Sequence, residues 1–111
     1  AAYEEIQDTL AGYDVLVTPT LTVPPYSKRL ADGYPTEIDG HSVMGVPTDV
    51  MLTWVFNMTG HPVASIPAGF TDEGLPVGLQ IVGRRFAEED ILSVAAAIER
   101  VRPWTDQYPG V

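Results

Sequence analysis

Hydrophobic residues fall along this chain in two rhythms, and each rhythm predicts a different kind of element. Tyr3, Ile6 and Leu10 recur at helical spacing, Glu4 and Glu5 stand in the first turn, and Gly12 follows as a stop. Residues 1–11 therefore read as a short helix. "DVLVT", Asp14 to Thr18, is a continuous apolar run ended by Pro19, the pattern of a strand buried on both faces. Helical spacing returns in "TDVMLTWVFNMTG", where Met51, Leu52, Val55 and Phe56 follow a cap at Thr48 and Gly60 closes the run. "VASIPAG" and "VGLQIVG" are strand candidates joined through "FTDEGLP", a hairpin loop in which Gly74 supplies a positive φ. The last run, "EEDILSVAAAIERV" (Glu88 to Val101), sets Ile91, Ala95 and Ile98 on one face. Three acids open it, Arg100 and Arg102 complement the dipole at its close, and Pro103 ends it.

The predicted order is α-β-α-β-β-α, an α/β chain without internal repeats. From Pro19 to about Pro47 the sequence is dense in Pro, Gly and polar residues. A structureless connection of that length is uncommon inside a compact domain. Loop 19–47 is thus either functional or drapes over structure that the chain does not contain, and residues 1–111 read as a single partial domain.

Composition narrows the classes. A chain of 111 residues has room for one modest core, and a hydrophobic fraction of 45% excludes a disordered, charge-rich tail. No run approaches the roughly 18 apolar residues of a bilayer span. The start, "AAYEEIQDTL", has no basic segment followed by an apolar one, as a secretory signal would. The expectation is a cytoplasmic protein with no membrane partner. The absence of cysteine removes disulfides and thiolate metal sites. Fifteen acidic against six basic residues, a net charge of -9, argue against nucleic acid as a partner.

Candidate chemistry is sparse. Of the four serines (Ser27, Ser42, Ser65 and Ser93), none lies in a G-x-S-x-G elbow, and Ser65 and Ser93 fall within a predicted strand and helix. His41 and His61 lie outside metal-ligand spacing, and His61, between Gly60 and Pro62, reads as satisfying a local turn. The single lysine, Lys28, belongs to the long loop. "GLQIVGRR" imitates a phosphate-binding loop but has arginine where lysine is needed and no hydroxyl residue next. "NMT" matches a glycosylation sequon but lies at a helix end, and Glu88 with Glu89 is explained by the helix dipole. Taken alone, the residues supply no catalytic set, no metal site and no cofactor site.

Four stretches in order change the picture: "YDVLVTPT", "FNMTGHPVASIPAGF", "DEGLPVGLQIVGRRFAEEDIL", and a closing helix that ends near Trp104 and Pro109. Together they resemble the C-terminal part of amidase signature enzymes, a family of fatty acid amide hydrolases, bacterial aryl and aliphatic amidases, and the A-type component of the tRNA-dependent amidotransferase. The resemblance implies the C-terminal piece of that family's mixed-sheet fold. It implies cleavage of a carboxamide to a carboxylate plus ammonia or amine by a Ser–cis-Ser–Lys relay, without metal or organic cofactor. That relay lies N-terminal to the segment seen here, and no position in this chain matches it, so no catalytic residue is assigned. The resemblance does imply a substrate pocket built by Thr53, Trp54, Phe56 and Asn57 on the helix, with Thr18 and Thr20 at the strand end beside the cleft. The expected partners are a small-molecule amide in the full enzyme, and either the missing N-terminal part or a second copy of the chain. Alternatives are a non-catalytic association domain, part of an amidotransferase A-type component, and a complete small hydrolase using Ser42 and His61. Gln80, a glutamine inside an apolar strand, needs a hydrogen-bond partner and is expected to find it in the absent half.

Overall fold

The computed structural model describes residues 1–31 and 33–109. Helix α1 (Ala2–Leu10) leads into strand β1 (Val15–Pro19), and a two-residue pair, β2 (Glu37–Ile38) and β3 (His41–Ser42), interrupts the long loop. Helices α2 (Pro47–Val50) and α3 (Thr53–Thr59) precede the hairpin of β4 (Val63–Phe70) and β5 (Pro76–Gly83), and α4 (Glu88–Val101) closes the chain.

The architecture turns on β5. It lies at the centre of a three-stranded sheet of order β1-β5-β4, antiparallel to both neighbours. Having partners on each side, it carries the most deeply buried run of the chain, from Gln80 to Gly83. Register sorts the two faces, because paired residues share a face and neighbours alternate. One face presents Ile66 and Ile81, with Val15, Ala64 and Leu79 at their margin, to α4 through Ile91, Val94, Ala95 and Ile98, and Trp104 seals the end. Gly83 lets α4 sit this close, since a Cβ there would stand 2.9 Å from the Ile91 side chain and 3.3 Å from the Ala87 carbonyl oxygen. The opposite face carries Thr18, Gln80 and Ser65 in one row across all three strands.

The six main elements appear in the predicted order, with three local differences. Strand β1 lies at the sheet edge, not between covering layers, and Val17 is 47% exposed. The expected helix over 48–60 is broken in two. Pro47 occupies the first turn of α2, and Asp49 Oδ2 accepts the Val46 amide at 3.0 Å, so the cap is not Thr48. The break falls at Met51, whose backbone is extended, because the incoming loop competes for the helix. The Thr22 amide donates to Val50 O at 3.0 Å, and Leu21 pairs with Met51. Finally, the long loop holds the small β2–β3 pair and is anchored by the Thr22 hydroxyl, which donates to Asp49 O at 2.9 Å. The expected turn residues hold: Gly60 ends α3 with φ 72°, and Gly74 turns the hairpin with φ 81°.

Candidate functional site

The polar row on the sheet is the floor of a hollow of about 400 Å³, and α3 is its wall. Thr53, Phe56 and Asn57 line it from the helix, His61 and Val63 from the helix-to-strand junction, and Ser65 and Gln80 from the sheet. Phe56 faces inward because the turn closed by Gly60 brings α3 back over the sheet, leaving that ring 8% exposed.

Gln80 is fully buried, and its amide orientation follows from its neighbour. The Thr18 hydroxyl donates to Pro19 O at 3.0 Å, which leaves its oxygen free to accept. Gln80 Nε2 fills that role at 2.9 Å. The carbonyl end, Oε1, is left buried without a partner. Beside it the Thr20 and Ser65 hydroxyls meet at 2.7 Å. That meeting occupies the space above Gly78, where a Cβ would stand 2.7 Å from Thr20 Oγ1 and 3.0 Å from Ser65 Oγ.

His61, 5% exposed, is engaged at both ring nitrogens. Nε2 donates to Gln7 Oε1 at 3.0 Å, and the Thr59 hydroxyl donates to Nδ1 at 2.8 Å. The Tyr3 ring packs alongside, with centroids 5.2 Å apart. Burial holds the imidazole below its ordinary pKa, and the nearby Arg85 guanidinium adds to the effect. His61 is therefore a neutral tie between α1 and the end of α3. It extends beyond the local turn that its sequence neighbours suggest.

The sequence-predicted residues divide accordingly. Thr53, Phe56 and Asn57 line the hollow, Thr18 reaches it through Gln80, and Thr20 through Ser65. Trp54 points away from the lining and is 50% exposed, beside exposed Val55 and Met58. Sequence reasoning did not place Ser65, His61, Val63 or Gln80 in the site. The signal that could have found Ser65 and Gln80 is cross-strand register, which sets both opposite one another on the face of Thr18. A larger hollow of about 710 Å³ lies between the hairpin and the end of α4, lined by Phe70, Leu79, Ile98 and Trp104 with Arg102, and carries no nucleophile or base. Lys28 and Ser42 are exposed on the loop and on β3. Among the described residues, no group of three or more His, Asp or Glu side chains is placed to hold a metal. The hollow can position a polar group against a half-apolar wall, but it offers no free base.

A wall with a hydroxyl-lined floor and no reactive group of its own suggests part of a larger site. Residues 1–92 match the family model for Amidase. The chain belongs to the amidase family. It is 41% identical over 97 residues to an acylamidase of Rhodococcus erythropolis, covering 87% of this chain and 20% of that protein. It is 37% identical over 108 residues to the A-type component of the glutamyl-tRNA(Gln) amidotransferase of Dehalococcoides mccartyi, covering 96% and 20%. Among solved structures, a bacterial aryl acylamidase of the amidase signature family superposes with a TM-score of 0.86 at 34% identity, over 96% of this chain and 22% of that one. The chain thus spans about a fifth of the length of the amidase relatives it matches.

Proposed function

We propose that this amidase-family chain forms one wall of the substrate cleft of an enzyme that cleaves a carboxamide to a carboxylate and ammonia or amine. The observation that carries this reading is the single hollow onto which Thr53, Phe56 and Asn57 converge with Ser65 and Gln80. Thr18 and Thr20 support its floor, and Trp54 extends the helix surface outward as a second, exposed contact for substrate. The Ser–cis-Ser–Lys relay implied by the family resemblance has no counterpart here. Ser65 is bonded to Thr20, His61 is engaged on both sides, and Lys28 is exposed on the loop. Catalysis then belongs to polypeptide outside these residues, and this chain supplies shape and hydrogen bonding. Among the described residues no helix is long and apolar enough to cross a membrane. A net charge of -9 favours solubility and repels anionic membrane surfaces, which supports a working enzyme in the cytoplasm.

Relatives named as acylamidases and as A-type amidotransferase components both match, and the higher superposition with the aryl acylamidase, 0.86 against 0.64, favours hydrolysis of a small amide. The test is activity-based labelling. A serine-directed fluorophosphonate should label the full-length enzyme and leave the isolated 111-residue chain unlabelled, with no amide turnover. Robust turnover by the pure chain would overturn the reading.

A further inference from the structure

His61 lines the hollow and also fixes where its wall stands. Helix α3 is short and is held at its two ends. At the first, Met51 pairs with Leu21 of the long loop, and Met51 O accepts the Trp54 amide at 3.4 Å. At the second, the Thr59 hydroxyl donates to His61 Nδ1, and Nε2 donates to Gln7 Oε1 on α1. Phe56 and Asn57, which line the hollow, lie in the last turn, where Phe56 O accepts the Gly60 amide at 2.9 Å. Movement of the Thr59–His61 junction therefore moves the wall itself.

The junction is built for a neutral ring. His61 is nearly buried, with the Tyr3 ring alongside it. The titratable or charged groups that face it are Tyr3 from α1 and Arg85 from the turn after β5. Arg85 Nη1 stands 3.7 Å from the place a Cβ of Gly60 would take, so its guanidinium lies against the residue before His61. Helix α3 carries no charge, and the strands reach the hollow only through Val63, Ser65 and Gln80. Glu4, Glu5 and Asp8 of α1 are exposed, and among the described residues no carboxylate forms an ion pair with the ring. A proton on His61 would thus set a second cation beside Arg85 with no anion to pair it, and a buried charge is costly unless paired. Thr59 can turn its hydroxyl and accept from an Nδ1–H, so the cost lies in the charge and not in a lost bond. The relief open to the ring is to swing into water, which parts α1 from the end of α3.

We propose that His61 is a positioning residue of the substrate wall: neutral, it clamps α3 over the hollow; protonated, it releases α3 and weakens amide binding. The clamp rests on the reading of the hollow as part of an amide hydrolase's substrate cleft. An amide seated against Phe56 favours the clamped state, so amide and proton oppose one another by linkage.

Steady-state kinetics of the full-length enzyme with 4-nitroacetanilide, from about pH 7.5 to 5, test it. KM should rise about twofold where half the molecules carry the proton, and further below that pH, while kcat does not carry the step. The rise falls below pH 6.5, since burial and Arg85 both hold the imidazole down. His61→Gln, which cannot take up a proton there, should show no such rise. Arg85→Gln should move the rise to higher pH, because removing the cation eases protonation; a merely structural His61 would not respond in this way. Overlapping KM profiles for the parent and His61→Gln, or a change confined to kcat, would overturn the clamp. So would an Arg85→Gln rise that stays in place or moves to lower pH. If His61→Gln does not fold, the Arg85→Gln shift decides alone. Full-length enzyme that hydrolyses no amide would remove the functional reading, and the clamp is then read by NMR of that enzyme. The amide shifts of Phe56, Asn57 and Thr59 should titrate together with the His61 imidazole, and shifts that ignore it would overturn the clamp.

Discussion

His61 shows how a buried residue engaged at both ring nitrogens sets how the protein responds to pH. Its neutral ring joins Gln7 on α1 to Thr59 at the end of α3. In the unfolded chain the imidazole titrates near its ordinary value of 6.5, and in the folded chain its pKa is lower. Below that ordinary value the unfolded state binds more protons, so stability is full above about pH 6.5 and is lost as pH falls toward the folded pKa. Thermal melts between about pH 7.5 and 5 should show the loss, and His61→Gln should remove that part of the slope; parallel curves for the two proteins would contradict the assignment. The residue scale is also where the sequence was least legible. Gln80 stood out as a polar residue in an apolar strand, but its meaning depended on Thr18 and Ser65, which are 62 and 15 residues away and meet it only through strand register. Trp54 and Phe56 looked alike on a helix of apolar spacing, and only the turn of α3 over the sheet buries one and exposes the other.

Among the elements, α4 and β5 form the pair on which the fold depends. Their contact relies on Gly83, where Ile91 fills the place a side chain would take. Gly83→Ala should destabilise the chain by about 1–3 kcal/mol, the usual cost of overpacking a tight core. A urea unfolding midpoint unchanged from the parent would show that α4 can shift instead. Helix α4 was readable from sequence because its acids, apolar stripe and Pro103 all agree on one element. The helix over 48–60 was misjudged in its continuity because its break has a tertiary cause. Thr22 and Leu21, from the far side of the loop, take the Val50 carbonyl and the Met51 backbone. No local spacing encodes that competition. The β2–β3 pair escaped notice for a related reason, being two residues long on each side and too short to show alternation.

At the scale of the whole molecule, the chain is flat and open, 41 × 39 × 22 Å, with a radius of gyration of 15.7 Å where a compact chain of this length has about 13 Å. Its sheet has two free edges, and hydrogen-bond parity shows which backbone groups face outward. Gly83 donates to Pro62 O and Thr20 to Gly78 O, so the amides of Val15 and Val17 on β1, and of Val63 and Ser65 on β4, point away from β5. Amide hydrogen exchange on the chain should find Val17 and Val63 fast and the central Ile81 and Val82 slow. Protection of Val17 equal to that of Ile81 would mean that the edge is already covered by another copy. Pro19 and Pro67 occupy the same outward positions at the other end of the sheet, paired with Leu79 and Gly78, and neither has an N–H to offer. The sheet is thus a ribbon with one sealed end and one adhesive end. Any strand that extends it must fasten beside Val15 or Val63, while the end nearest the hairpin turn refuses new neighbours on both flanks.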